Sequence, residues 1–287
     1  MILLARLLNR FRTRTQVTPV TPSGPVGRLC HFQVSPPNEI ELQASDNELK
    51  RVFERTTQAW QALGKEEPYW SVLTSDSFRS KVLDDAARVQ FDAAGEYDVA
   101  VIKAYFARAG FHLDEIAKVV ELGCGVGRLT THLAKATGQV VGVDISDQHL
   151  AIAAENMRQR GIANVSFLKL EDVASLEQIP ECDLFATLIT LQHNPPPIIA
   201  HILSICLARV KRGGFAWFQV PTLIEGYQFK IGAYGRTAPI GMEMHPLPQQ
   251  RVFELLAAED FALLEVQEDD AASSLSIRSN TFFARKR

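Results

Sequence analysis

The stretch Val119-Val120-Glu121-Leu122-Gly123-Cys124-Gly125-Val126-Gly127-Arg128 reads as an apolar strand that ends in glycines and opens a helix. Such a turn lets the backbone approach a ligand closely and leaves free N–H groups at the helix N-terminus. A dinucleotide fingerprint needs G-x-G-x-x-G, but the spacing here is G-x-G-x-G and Arg128 stands where the third glycine would fall. A nicotinamide-dependent oxidoreductase therefore loses ground. Glu121, two residues before the first glycine, would repel a pyrophosphate and suits a ligand with a cationic group instead.

Working outward, short apolar runs alternate with helical spacing. Strands are expected at Lys118 to Leu122, Gln139 to Val143, Val165 to Leu170, Asp183 to Leu188, Phe215 to Val220, Ala262 to Val266 and Thr281 to Ala284. Helices are expected at about Arg128 to Thr137, Asp147 to Arg160, Pro196 to Val210 and Pro248 to Glu259. Strands separated by helices of this length imply an α/β fold with a mostly parallel, doubly wound sheet covered on both faces. The second strand ends in Asp144 and Ile145, and an acid at that place in doubly wound folds accepts both hydroxyls of a ribose. After the third strand, Asp172 offers an acceptor for an adenine amino group and Val173 an apolar cover for the ring.

These residues resemble the class I S-adenosylmethionine-dependent methyltransferases. Glu121 with Gly123, Gly125 and Gly127 matches the family's first motif, Asp144 its ribose-binding acid, and Asp172 with Val173 its adenine-binding pair. The resemblance covers Ile116 to Val220 by motif and the segment to Arg287 by strand count. It implies S-adenosylmethionine as cofactor, S-adenosylhomocysteine as product, and a seven-stranded sheet whose last strand runs antiparallel between the fifth and sixth. Cys124, between the glycines, reads as a small residue filling a tight turn.

Ligands of open α/β sheets lie beyond the carboxyl ends of the strands, which puts Gln192 and His193, after the fourth strand, near the transferred methyl group or its acceptor. A histidine of near-neutral pKa there could remove a proton from a hydroxyl. The alternative is that His193 and Asn194 cap the helix opened by Pro195-Pro196-Pro197. Asn194-Pro195-Pro196-Pro197 lacks the aromatic residue of the motif used by enzymes that methylate adenine or glutamine nitrogen, which argues against a nucleic-acid substrate. Between the fifth strand and the next helix lie the 27 residues Pro221 to Leu247, where Glu243 and His245 are further candidates for acceptor contact. Thr190 stands where magnesium-dependent relatives place acids, so no metal is expected. The Tyr69-Trp70-Ser71 and Gln192-His193-Asn194 segments look most like bacterial enzymes of glycan or natural-product assembly, and the expected acceptor is a hydroxyl of a small molecule or glycan. N- or C-methylation of another small molecule is an alternative.

The rest of the chain frames this domain. Ser45 and Glu48 form a capping-box signature, and Leu49, Val52, Phe53, Thr56, Trp60 and Leu63 recur at helical spacing until Gly64. A second helical region runs from about Asp76 to Gly110, with Val99, Ile102, Lys103 and Phe106 toward the core. The resulting organisation is a basic, Pro/Thr-rich arm over 1–44, a helical cap over 45–110 and the cofactor-binding domain over 111–287. The net charge of -3 over 287 residues provides no basic field for nucleic acid, yet the first 38 residues hold five arginines and no acid. Leu3, Leu4, Leu7, Leu8 and Phe11 share a helical face there, so residues 1–14 could contact a membrane surface or a protein, and a methyltransferase-fold binding module is the rival reading. Scattered cysteines and the lack of an apolar run of roughly 18 to 20 residues suggest a cytoplasmic, at most peripheral, protein.

Overall fold

A computed structural model describes residues 36–236, 241–272 and 274–287, and residues 37–287 form one unit. The amphipathic arm of residues 1–14 lies outside the described residues. In chain order the elements are β1 (Glu39–Ile40), α1 (Asp46–Glu66), α2 (Asp85–Arg108), β2 (Lys118–Leu122), α3 (Arg128–Ala136), β3 (Gln139–Asp144), α4 (Asp147–Gln159), β4 (Val165–Lys169) and β5 (Cys182–Thr187). There follow α5 (Pro196–Ala208), β6 (Val210–Ile224), β7 (Gln228–Phe229), α6 (Ile231–Tyr234), α7 (Gln249–Ala258), β8 (Phe261–Asp269) and β9 (Ile277–Lys286).

Seven strands form one sheet in the order β4-β3-β2-β5-β6-β9-β8. The first five are parallel, while β9 runs antiparallel to both β6 and β8 and lies between them, as the motif resemblance implied. Alternation along each strand sends side chains to opposite faces. Val120, Leu122, Val143, Phe185 and Phe218 pack with Ile198, Ile199 and Ile202 of α5 and Val252 and Leu255 of α7. Their neighbours Val119, Val140, Leu184 and Trp217 pack with Ile102 and Phe106 of α2 and Leu129 and Leu133 of α3. Both faces are thereby covered, which is why these strands read as continuous apolar runs.

The helices before the sheet differ in detail from the sequence reading. Ser45 and Glu48 do form the capping box of α1, with the Ser45 N–H donating to Glu48 Oε2 at 2.9 Å. Gly64, however, does not stop that helix, which continues to Glu66. It is buried against the β3–α4 turn, where an added Cβ would lie 2.2 Å from Ser146 Oγ. We therefore expect Gly64→Leu to destabilise the protein by about 2 kcal/mol or more despite the better helix propensity of leucine, because overpacking outweighs propensity here. Urea denaturation checks this, and an unchanged or raised midpoint would contradict it. On α2, Tyr105 rather than Lys103 is buried beside Ile102 and Phe106, and Lys103 faces solvent. Tyr69 and Trp70 pack with Phe78 and Phe91 into a small separate core.

The segment Pro221 to Leu247 is not the structureless loop its composition suggested. β6 runs on to Ile224, and β7 pairs in parallel with β1 before α6 forms. Asn38 Oδ1 accepts the Ile224 N–H at 3.1 Å and Glu41 Oε2 accepts the Ile231 N–H at 2.9 Å, so residues 38–41 strap this segment down. No helix among the described residues is long and apolar enough to cross a membrane.

Candidate functional site

The glycine turn follows β2, and its shape depends on three positive φ angles, +73° at Gly123, +53° at Gly125 and +84° at Gly127. An added Cβ would lie 2.2 Å from Thr190 Oγ1 at Gly123 and 2.5 Å from Val72 Cγ2 at Gly125. Only glycine tolerates both the angle and the approach. The neighbouring strand end holds the turn in place: Val143 O accepts the Gly123 N–H at 2.7 Å, and Asp144 Oδ2 accepts the Gly125 N–H at 2.9 Å. The other oxygen of Asp144 accepts the Ser146 N–H at 2.9 Å. A buried carboxylate at this strand end thus organises two loops with backbone bonds to each.

Glu121 is buried one residue before the end of β2 and accepts the Thr130 hydroxyl at 2.6 Å. Burial pushes its carboxyl up to about 7, and nearby Asp144 and Asp98 add to the rise against the pull of Thr130 and Arg128. Arg128 pairs with Asp98. Burial drives the Cys124 thiol well above its ordinary range, which leaves it a packing residue in the turn.

These groups line a cleft of about 850 Å³, part of it open to solvent. Its floor is Glu121, Gly123, Gly125, Asp144 and Ile145, while Phe53, Thr56 and Trp60 of α1 and Ser71 and Val72 of the following turn form a wall. His149, also on the wall, meets Ser71 Oγ through Nε2 at 2.9 Å and faces Asp144 Oδ1 through Nδ1 at 3.9 Å. Gln61 of α1 donates to Ile145 O at 2.8 Å. The helix and turn are thereby fastened to the strand end that carries Asp144.

A second, smaller cleft of about 250 Å³ shares Thr56 and Trp60 with the first and adds Arg55, His193, Tyr234, Met242 and Glu243. His193 Nδ1 lies 3.0 Å from the Glu243 carbonyl oxygen, which can only accept, so Nδ1 carries the proton and Nε2 the lone pair. Nε2 faces the Gln192 amide nitrogen at 3.3 Å, whose orientation follows from Gln219 donating to Gln192 Oε1 at 3.0 Å. Burial lowers the His193 ring to about 4, below the near-neutral value expected from sequence, because nothing nearby stabilises an imidazolium enough to offset its desolvation. Trp60 packs on it with ring centroids 5.1 Å apart.

Glu243 takes bonds from Arg55 Nη2 at 2.8 Å, Tyr234 Oη at 2.5 Å and His245 Nε2 at 3.3 Å. Burial works against ionisation, but these three donors together hold the carboxyl down to about 2. With Nε2 donating, His245 Nδ1 accepts from the Tyr227 hydroxyl at 2.6 Å.

The structure therefore brings Glu121, Gly123, Gly125, Asp144 and Ile145 together in one cleft and places His193 in the adjoining one. Gly127, Asp172, Val173, Gln192 and His245 line neither. Asp172 accepts from the Ser175 N–H at 2.9 Å and Ser175 Oγ at 2.7 Å, capping a short turn. Neither His193 nor Asn194 caps α5, whose first turn follows Pro195 directly, and Asn194 donates to Thr190 O at 3.0 Å. Sequence reasoning did not place Trp60, Thr56, Arg128, His149 or Thr190 at the site. Periodicity marked Thr56 and Trp60 as one face of α1, without indicating what that face covers. Among the described residues, no group of three or more His, Cys, Asp or Glu side chains is arranged to hold a metal ion.

Residues 119–214 match a family model described as a methyltransferase domain. Ubiquinone biosynthesis O-methyltransferases of Methylococcus capsulatus and Acinetobacter baylyi are 34% identical over 102 residues and 31% identical over 103 residues, in each case 35% of this chain and 42% of the relative. The chain thus matches less than half the length of these curated relatives. Among solved structures, magnesium protoporphyrin IX methyltransferase of Synechocystis with bound S-adenosylhomocysteine superposes with a TM-score of 0.56 at 16% identity, covering 81% of this chain and 100% of that one. An S-adenosylmethionine-dependent methyltransferase of Clostridium acetobutylicum gives a TM-score of 0.50 at 14% identity over 72% of this chain and 97% of that one. At these identities the likeness to solved structures is one of fold.

Proposed function

We propose, for a chain that belongs to the class I S-adenosylmethionine-dependent methyltransferases, that it transfers a methyl group from S-adenosylmethionine to a hydroxyl oxygen of a small molecule. The observation that carries this reading is the adjacency of the two clefts, which share Thr56 and Trp60 as lining, with Glu121 and Asp144 in one and the unprotonated Nε2 of His193 in the other. The glycine turn, where a Cβ would collide with Thr190 or Val72, and the paired carboxylates at adjacent strand ends fit a nucleoside bearing a cationic group. In this reading Asp144 holds the ribose diol and Glu121 faces the cationic end. Residues 45–110 act as the cap of domain 111–287, with α1 and the Ser71 turn excluding water from the larger cleft.

The bound cofactor supplies an already activated methyl group on a sulfonium. What remains for the chain is to align the acceptor and to take its proton. His193 is the proposed base: the Glu243 carbonyl fixes its tautomer, and the acceptor hydroxyl takes the place of the Gln192 amide at Nε2. His245 acts through Glu243 and Tyr227 and not by touching the acceptor.

The test begins with calorimetry, since a wild-type protein that gives no heat with S-adenosylmethionine up to millimolar concentration lacks the proposed activity. With methyl-labelled cofactor and a fractionated extract of small molecules, the labelled product should be an ether, stable to mild base that releases methyl esters. His193→Ala should lower that labelling by about a hundredfold or more, with S-adenosylhomocysteine affinity within about threefold of wild type. Because burial lowers the His193 pKa to about 4, turnover at saturating S-adenosylmethionine should stay flat as pH falls through 6.5 and decline only toward 4. An acid limb centred near 6.5 would point to another base.

A further inference from the structure

We infer that the smaller cleft is the acceptor subsite and that the Arg55–Glu243 ion pair makes it select an uncharged acceptor. The inference rests on the methyl-transfer reading for the identity of the reaction, but its charge selectivity stands on the geometry of the cleft itself.

Among the described residues that line this cleft there is one cation, Arg55, and one anion, Glu243, and they meet at 2.8 Å. Both side chains are largely buried, 10% and 18% exposed. Glu243 Oε2 is bonded to Tyr234 and His245 as well, so three donors already occupy the carboxylate and an incoming ammonium would have to compete with them. The low carboxyl pKa keeps the pair ionised throughout the working range. A carboxylate or phosphate entering the cleft would have to draw Arg55 away from Glu243, and an ammonium would have to draw Glu243 away from Arg55. Either exchange leaves one buried charge without its partner, which is the arrangement that low-dielectric sites disfavour most. The remaining surface is flat and polarisable: the Trp60 indole, the Met242 thioether, and the Tyr234 ring with the Arg55 guanidinium stacked on it at 4.4 Å from its centroid. Such walls hold a planar, neutral group by contact, and a hydroxyl that takes the place of the Gln192 amide reaches the lone pair of His193 Nε2.

A charge series on a single ring tests this: para-hydroxybenzyl alcohol, para-hydroxybenzoate and para-hydroxybenzylamine, with affinities measured by ligand-observed NMR on the full chain loaded with S-adenosylhomocysteine. Wild type should bind the alcohol at least tenfold more tightly than the benzoate or the amine. Glu243→Gln, which leaves the Arg55 charge unmatched, should make the benzoate the preferred member by at least tenfold. Arg55→Gln should instead favour the amine. The two variants fail in opposite directions, so a general loosening of the cleft cannot imitate the result, and retained S-adenosylhomocysteine binding reports that each is folded. A wild type that prefers either charged compound, binds none of the three, or keeps its preference in both variants overturns the inference. Failure of S-adenosylhomocysteine itself to bind would count against the methyl-transfer reading alone, because the charge series and its two inversions can be measured on the unloaded protein.

Discussion

Asp144→Ala is expected to weaken S-adenosylhomocysteine binding by at least about a hundredfold, or about 2.7 kcal/mol. The carboxylate has two duties that fail together. In the proposed role it accepts the ribose hydroxyls, and each bond to a charged acceptor contributes roughly 1.5 to 3 kcal/mol. It also accepts the Gly125 and Ser146 N–H groups at 2.9 Å each, and so holds the glycine turn and the start of α4 in register. Alanine leaves both amides without an acceptor in a buried place. Asp144→Asn keeps one carbonyl oxygen for one of these amides and should fall between alanine and wild type. Calorimetry on variants whose circular dichroism matches wild type decides the matter, and an alanine variant that binds within about threefold of wild type would remove Asp144 from the site.

Glu121→Gln is expected to change stability and binding in opposite directions. Burial raises the folded-state carboxyl to about 7, above its ordinary 4.5, so ionisation works against the fold and the wild type loses stability as pH rises from 4.5 to 7. Glutamine keeps an acceptor for the Thr130 hydroxyl and carries no charge. At pH 8 the variant should be more stable than wild type by about 2 to 3 kcal/mol. The same variant should bind S-adenosylmethionine more weakly, because it cannot supply a carboxylate to the cationic end of the ligand.

In the wild type a cationic ligand lowers the carboxyl pKa, so binding at pH 7 should release about half a proton. Affinity should then be about tenfold lower at pH 6 than at pH 8. Titrations in two buffers of different ionisation enthalpy measure the proton directly. No release in the wild type, or the same release in Glu121→Gln, would show that Glu121 does not face the charge.

The strands were readable because each is a run of apolar residues bounded by turn formers, and a parallel strand buried on both faces allows little else. Glu121 and Asp144 were readable because they stand at strand ends, where the sheet brings side chains to one rim whatever the details of packing. The failures share a different cause. Lys103 was placed inward by spacing alone, although α2 turns Tyr105 to the core instead. Gly64 carried the sign of a helix stop, yet its real constraint is the Ser146 side chain on another element. The composition of Pro221 to Leu247 concealed β7, which forms only because residues 39–40 pair with it.

The sheet, the glycine turn and the two acids that meet there follow from the order of the residues, since local periodicity and chain direction suffice to bring them together. Tertiary structure decided everything that depends on groups distant along the chain. Arg55 and Glu243 are separated by 188 positions, and no pattern in either neighbourhood announces their pairing. Nor could sequence distinguish His193, which lines the smaller cleft, from His245, which stands behind Glu243. The charge of Glu121 and the protonation of His193 are likewise properties of burial. A pKa responds to the solvent excluded and the dipoles oriented around a group, and both are set by the packed fold rather than by the order of the residues.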